Sequence, residues 1–167
     1  MPLGRKFDET LTSGQAFVAM DRILDKGSTG PLYLGKPEIA AMVVAAIHHQ
    51  ETQMKHYELH AYVVMANHVH LLITPHVEVS KLMKSLKRFT AREGNRMLGL
   101  TGQPFWQEES YDRLVRGPEE FRRIARYIEL NPVKAGLVKQ PEAFPWSSAF
   151  WRVTNPPQAA SLPYSTL

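Results

Sequence analysis

His60-Ala61-Tyr62-Val63-Val64-Met65-Ala66-Asn67-His68-Val69-His70-Leu71-Leu72-Ile73-Thr74-Pro75 carries the strongest strand signal in a chain of 167 residues. β-Branched and aliphatic residues stand on both sides of a polar Ala66-Asn67 break, and Pro75 closes the run. The pattern predicts two paired strands joined by a tight turn near Met65–Asn67. His68 and His70 stand two apart at the start of the second strand. Side chains alternate across a pleated strand, so both imidazoles leave one face and Val69 leaves the other. Two neutral imidazoles side by side can hold one divalent cation. The same pair also suits two ordinary surface or half-buried histidines.

Outward from this stretch the flanking elements are helical. Pro37 suits the first turn of a helix. Ile39, Met42, Val43, Ala46 and Ile47 follow at helical spacing, predicting an amphipathic helix from Pro37 to about Met54. After the strands, Ser80 is a candidate N-cap for a helix reaching about Leu98, where Gly99 stops it. Leu82, Leu86, Phe89 and Met97 mark its apolar side. Lys81, Lys84, Arg88 and Arg92 form a single stripe along it. A charged stripe is commonly a solvated helix face, but cations with no acid among them also suit a phosphate backbone.

Farther on, Gly102 to Pro104 is a turn, and Phe105 to Val115 reads as one strand or two short pieces. Gly117-Pro118-Glu119-Glu120 starts a third helix, with proline in the first turn and acids where the helix dipole favours them. Phe121, Ile124, Ala125 and Ile128 are its buried stripe, and Pro132 sets its expected end at about Asn131. A helical turn or loop is expected at Leu137-Val138. Trp146 and Phe150 are expected to pack back on the domain, and the chain from Thr154 to read as a loose tail.

The first 36 residues are broken by glycines, with a short helix from Ala16 to Leu24 and an extended Pro31–Leu34 as candidates. If this segment supplies one strand, the order becomes βαββαβ. That is an α+β, ferredoxin-like split βαβ fold: one mainly antiparallel sheet, helices on one face, first strand uncertain. The expected organisation is a divergent segment over 1–36, one main domain over 37–151 and a loose tail over 152–167.

Composition narrows the function classes. One domain of this length buries a core without staples, and 44% apolar with 10% aromatic residues fits a globular protein. There are no cysteines, which excludes disulfides and thiolate metal sites. The apolar run from Ala40 to Ile47 is far too short to span a bilayer. No apolar signal follows Arg5 and Lys6, so the expected location is cytoplasmic with no membrane partner. Twenty Lys and Arg against sixteen Asp and Glu give a net charge of +4. That surplus by itself does not imply nucleic acid; its distribution matters more.

Tyr127 and Asn131 lie four apart on one flank of the third helix's buried stripe. If that helix packs over the sheet face bearing His68 and His70, a phenol, an amide oxygen and two imidazoles converge. That set suits a phosphodiester: an ion polarises the phosphate while the phenol attacks. Amphipathic packing of the tyrosine and helix termination by Asn131-Pro132 are the competing readings.

Several separate motifs then occur in a consistent order. Met65-Ala66-Asn67-His68-Val69-His70-Leu71-Leu72, Ser85-Leu86-Lys87-Arg88-Phe89-Thr90-Ala91-Arg92, Phe105-Trp106-Gln107, Tyr111-Asp112-Arg113, the run from Arg126 to Val138 and Pro145-Trp146-Ser147-Ser148-Ala149 resemble the REP-associated tyrosine transposases. These belong to the HUH single-tyrosine, insertion-sequence transposase-like group, and the resemblance spans roughly 37–150. It implies a metal-dependent single-stranded DNA endonuclease and strand transferase acting on palindromic repeats that fold into hairpins. His68 and His70 match the metal pair, and Asn131 stands where relatives place a third ligand. Tyr127 matches the tyrosine that becomes linked to a DNA 5′-phosphate. Mg²⁺ or Mn²⁺ is the implied ion. Lys81, Lys84, Lys87, Arg88 and Arg92 would follow the DNA backbone, and Trp106, with Phe105 and Tyr111, would stack on unpaired bases, with core packing the competing reading of each ring. One departure is the start of the chain, where relatives carry a strand of the Val-Thr-Phe type. Gly14 to Met20 is its nearest match here.

Two other functions compete: a catalytically inactive hairpin-DNA-binding or regulatory protein of the same fold, and an unrelated histidine-metal hydrolase using His48, His49 or His56. A homodimer and a monomer are both compatible with the sequence.

Overall fold

The computed structural model describes residues 17–22, 32–106 and 111–156. In chain order the elements are β1 (Phe17–Arg22), α1 (Pro37–Thr52), β2 (Tyr57–Val64), β3 (His68–Pro75), α2 (Val79–Leu98), β4 (Tyr111–Leu114), α3 (Gly117–Lys134) and α4 (Ser148–Thr154), with single 3₁₀ turns at Tyr33–Gly35 and Pro141–Ala143. The described strands form one sheet in the order β2-β3-β1-β4, antiparallel at every junction. This is the split βαβ order, and β3 lies inside the sheet between β2 and β1. The β2–β3 hairpin closes where the alternation breaks, with Met65 N–H donating to the His68 carbonyl at 2.8 Å.

The first strand is Phe17–Arg22, paired with β3 from Phe17 opposite Ile73 to Arg22 opposite His68. Over the described residues 17–22 a strand replaces the candidate short helix of Ala16–Leu24 and overlaps the Gly14–Met20 match to the relatives' first strand, so the folded unit takes in a strand from the 1–36 segment. Phe17 and Val18 are intrinsically strand-like, and pairing on two sides overrides a weak local pattern. The expected extension at Pro31–Leu34 is a 3₁₀ turn from Tyr33; Pro31 lies outside the described residues. Gly14 to Ala16, Gln107 and the tail from residue 157 also lie outside them.

Helices cover both faces of the sheet, which corrects the expectation of one. The cause is the alternation in β3. Val69, Leu71 and Ile73 point into a core built with Ile39, Val43 and Ile47 of α1 and Leu82, Met83 and Leu86 of α2. Leu72 points the other way, into a second core with Ala61, Val63 and Met65 of β2, Val115, and Phe121, Ile124 and Ile128 of α3. A bulge between Leu59 and Ala61 lets β2 follow the same division. Fully burying one such side chain contributes roughly 1.5–3 kcal/mol. The helices α1 and α2 are the crossovers of the split βαβ unit, and α3 is an addition on the far side.

Two helix ends differ from expectation. Helix α2 begins at Val79 with Glu78 as N-cap; Ser80 falls in the first turn and its hydroxyl donates to the Glu78 carboxylate. Helix α3 does not stop at Asn131 but runs through Pro132 to Lys134. Pro132 removes one backbone donor, yet its ring is buried and the bonds beyond it continue, Ala135 N–H to the Asn131 carbonyl at 3.0 Å and Leu137 N–H to the Pro132 carbonyl at 2.9 Å. The stop is Gly136, at φ 72°, a left-handed conformation that glycine adopts without strain.

After α3 the chain crosses back to the exposed edge of β2. Val64 N–H donates to the Trp146 carbonyl at 2.8 Å, and Tyr62 N–H to the Ser148 hydroxyl at 3.1 Å. Trp146 packs on the larger core, as expected. The short helix α4 that follows was not expected; its signal is Ser147, whose hydroxyl accepts from Phe150 N–H at 3.2 Å as an N-cap. No helix among the described residues is long and apolar enough to cross a membrane.

Candidate functional site

The strand β3 turns His68 and His70 to the α3 side of the sheet. Their ring centroids lie 4.9 Å apart at an interplanar angle of 84°. His70 is buried and His68 partly so. His68 Nδ1 lies 2.7 Å from Asn67 Oδ1. A carbonyl oxygen only accepts, so in this amide orientation Nδ1 carries the proton and Nε2 keeps its lone pair. That is the tautomer in which imidazole coordinates a metal through Nε2. Asn67, on the hairpin turn, thus orients the residue beside it.

The helix α3 brings the phenol. Its apolar stripe docks on the sheet and sets Tyr127 at the boundary of that stripe. The Tyr127 ring meets the edge of His70 at 6.0 Å between centroids and 80° between planes. It remains 48% exposed, open enough for a polymer to approach. Asn131, partly buried, lies one helical turn on along the same flank. The structure therefore brings His68, His70 and Tyr127 together, with Asn131 beside them.

A further cation stands here that the sequence reading gave no role. Lys134 Nζ lies over the Tyr127 ring, 4.5 Å from its centroid. The available signal was helical spacing, since seven residues from Tyr127 is two turns along one flank.

The carboxylate of Glu129 fixes the back of α3. It receives a two-pronged contact from Arg152 of α4, at 2.5 and 2.7 Å, and the Ser148 hydroxyl at 2.6 Å. The hydrogen bonds to Glu129, and then its charge, raise the Arg152 pKa above its ordinary value. Because Ser148 also holds β2, helix α3, the C-terminal helix and the sheet edge share one polar junction.

The proposed DNA-contacting residues lie elsewhere. Lys81, Lys84, Arg88 and Arg92 line a shallow groove of about 340 Å³ with Ser85 and Phe89. The apolar side of α2 packs on the sheet face opposite α3, so α2 and the sheet separate this groove from His68 and His70. Lys87 lies off the stripe, beside Val43, Thr90 and Trp106. The Trp106 indole N–H donates to the Thr90 hydroxyl at 2.9 Å, and its ring packs on the core and on Phe105. Phe105 is buried and closes on Gly94, where a Cβ would come within 2.7 Å of its ring. Phe105 is therefore a core residue, the reading that competed with base stacking. The Tyr111 side chain lies outside what the structure describes.

Two of the three alternative histidines are otherwise engaged. His48 stacks on Trp151 at 3.9 Å and lies 3.1 Å from the Tyr62 hydroxyl, and His56 lies 3.3 Å from Gln50 Oε1. Among the described residues no group of three or more His, Asp or Glu could hold a metal ion. The candidate donors at the site are two imidazoles and an amide.

Residues 37–131 match the family model for IS200-like transposases. The REP-associated tyrosine transposase of Escherichia coli strain K12 is 30% identical over 96 residues, which are 55% of this chain and 54% of that protein. The chain thus spans about half the length of the curated relative it matches. The fold is similar to the solved structure of a REP-associated tyrosine transposase bound to a REP hairpin. The TM-score is 0.62 at 22% identity, covering 86% of this chain and 81% of that one; at that identity the likeness speaks for the fold. The family match takes in more than half of the sequence, including both histidines and Tyr127, and the chain belongs to the IS200-like transposases.

Proposed function

We propose that this chain is a metal-dependent single-stranded DNA endonuclease and strand transferase that acts at hairpin or palindromic-repeat DNA through a 5′-phosphotyrosine intermediate. The observation that carries this reading is the packing of Tyr127 against His70, on the sheet face where His68 stands. In the reaction, the Tyr127 oxygen forms a bond to phosphorus as the bond from phosphorus to the 3′-oxygen breaks. The phenolic proton is given up, and the leaving 3′-oxygen gains one. The bond energy is kept in the phosphotyrosine, so a 3′-hydroxyl can reverse the step and join a different end.

The donor set fits a divalent ion with open positions. His68 and His70 would hold it, and Asn131 lies on the adjoining helix as the third donor. Mg²⁺ or Mn²⁺ bound there would polarise the phosphate and neutralise charge in the transition state. Imidazole nitrogen is a softer donor than carboxylate oxygen and suits a transition metal better than Mg²⁺. Manganese is therefore expected to support the reaction at the lower concentration.

The sparse donor set also favours a second reading, in which the protein binds hairpin DNA without cutting it. The two separate on one denaturing gel. Labelled single-stranded hairpin DNA from the flanks of the protein's own gene is incubated with wild type, Tyr127→Phe and His68→Ala, with Mg²⁺ or Mn²⁺. An adduct in wild type alone supports the nuclease. Tight binding by all three with no adduct supports the binding protein, and cleavage that persists in Tyr127→Phe means another nucleophile.

A further inference from the structure

We propose that Lys134 is a phosphate-contacting residue of this site, its ammonium resting on the Tyr127 ring in the DNA-free protein and passing to the phosphate that Tyr127 attacks. The inference rests on the reading of Tyr127 as nucleophile. Its own observation is the 4.5 Å approach of Nζ to the ring centroid.

The cations on this flank of α3 are not equivalent. Arg123 lies 3.8 Å from Glu120, which also receives Arg113 at 2.6 Å. Lys134 is exposed and, among the described residues, pairs with no carboxylate. Its contact with the ring is the weak, exposed kind of cation–π interaction, which an anionic oxygen displaces. A near-attack phosphate lies about 3–3.5 Å from the phenolic oxygen. The flexible lysine stem, anchored beside the ring, can deliver its charge there without moving the backbone. In this position the ammonium offsets the negative charge that builds on the non-bridging oxygens as the phosphorus is attacked. Lys134 keeps its protons throughout; the bond from the Tyr127 oxygen to phosphorus forms and the bond to the 3′-oxygen breaks.

The test uses the full chain and a hairpin oligonucleotide with a single-stranded extension, taken from the flanks of its own gene. Binding is measured across a salt series in the Tyr127→Phe background, with and without Lys134→Gln. Removing one phosphate contact is expected to make the slope of log affinity against log salt shallower by about 0.7. With Tyr127 intact, Lys134→Gln is expected to slow single-turnover adduct formation by roughly 100-fold, the low end of the effect of one charge-stabilising donor, and Lys134→Arg to recover most of it. An unchanged salt slope, or Lys134→Arg as slow as Lys134→Gln, overturns the proposal. If wild type forms no adduct but the slope still falls, the phosphate contact stands and the nuclease reading is what fails.

Discussion

The two faces of β3 do different work with neighbouring residues. On the α1/α2 face, Val69, Leu71 and Ile73 are 4%, 2% and 0% exposed, and the tyrosines packed there, Tyr57 and Tyr62, are equally inaccessible. Burial raises both of those phenols above the ordinary range, and Tyr57 spends its proton on the Ile47 carbonyl at 2.7 Å. On the α3 face the same strand offers His68 and His70, and the tyrosine there is half exposed. One strand with a period of two thus gives a rigid, wholly apolar anchor and a polar site on opposite sides. The lesson is that the positions of the imidazoles are set by the core residues between them, which cannot slip register without turning every side chain over.

Substituting adjacent residues breaks this comparison most sharply. His70→Ala is expected to lower single-turnover adduct formation on the order of 1,000-fold, several kcal/mol of lost charge stabilisation, with little change in melting temperature. Leu71→Ala is expected to destabilise the fold by about 2–5 kcal/mol and, well below its melting temperature, to leave the rate of the remaining folded protein within a few-fold. Urea titration and adduct kinetics on the same two variants check this. If Leu71→Ala slowed the chemistry as much as His70→Ala without unfolding, the division of labour between the faces would be wrong.

Much of this arrangement was legible in the residues, and the failures have a common cause. The hairpin, the α1 start at Pro37 and the α2 stop at Gly99 follow from local chemistry, and the structure has each of them. The pairing of His68 with His70 on one face follows from strand alternation. What escaped was decided by contacts distant in sequence. Only the poor Gly14–Met20 match pointed to a strand here; Phe17–Arg22 becomes a central strand because β3 and β4 both pair with it. Pro132 sits inside α3 because its buried ring and the continuing helix bonds outweigh one lost donor. The face on which α3 lands depends on Phe121, Ile124 and Ile128 finding Ala61, Val63 and Leu72. Lys134 acquires a role only once the helix is known to continue past Asn131.

The next sharpening concerns what holds the site face in place. The core beneath α3 is the smaller of the two, and the Glu129–Arg152–Ser148 junction supplements it with charged hydrogen bonds. Arg152→Ala leaves Glu129 partly buried without its fork. The expected loss is about 1.5–3 kcal/mol, the range for hydrogen bonds to a charged group. Amide exchange should quicken first in α3 and α4, with α1 and α2 little affected. Uniform quickening across the protein would instead show that the two faces open together.

The smallest expected effect separates the basic groove from the site. Arg88 lies on α2, across the sheet from Tyr127, in a groove with Lys81, Lys84 and Arg92. Its charge can act on DNA only through the backbone it touches, a sequence-independent and salt-dependent contribution. Arg88→Gln should therefore weaken hairpin binding and flatten the salt slope by about 0.7–0.9, according to whether the contacted phosphate is single- or double-stranded. At saturating DNA the adduct should form at the wild-type rate, because the groove does not touch the reacting atoms. Lys134→Gln predicts the other combination, a flattened slope together with a slower rate at saturation. A slower saturated rate for Arg88→Gln would mean that the groove and the site, though on opposite faces, are coupled through α2 and the strands it packs upon.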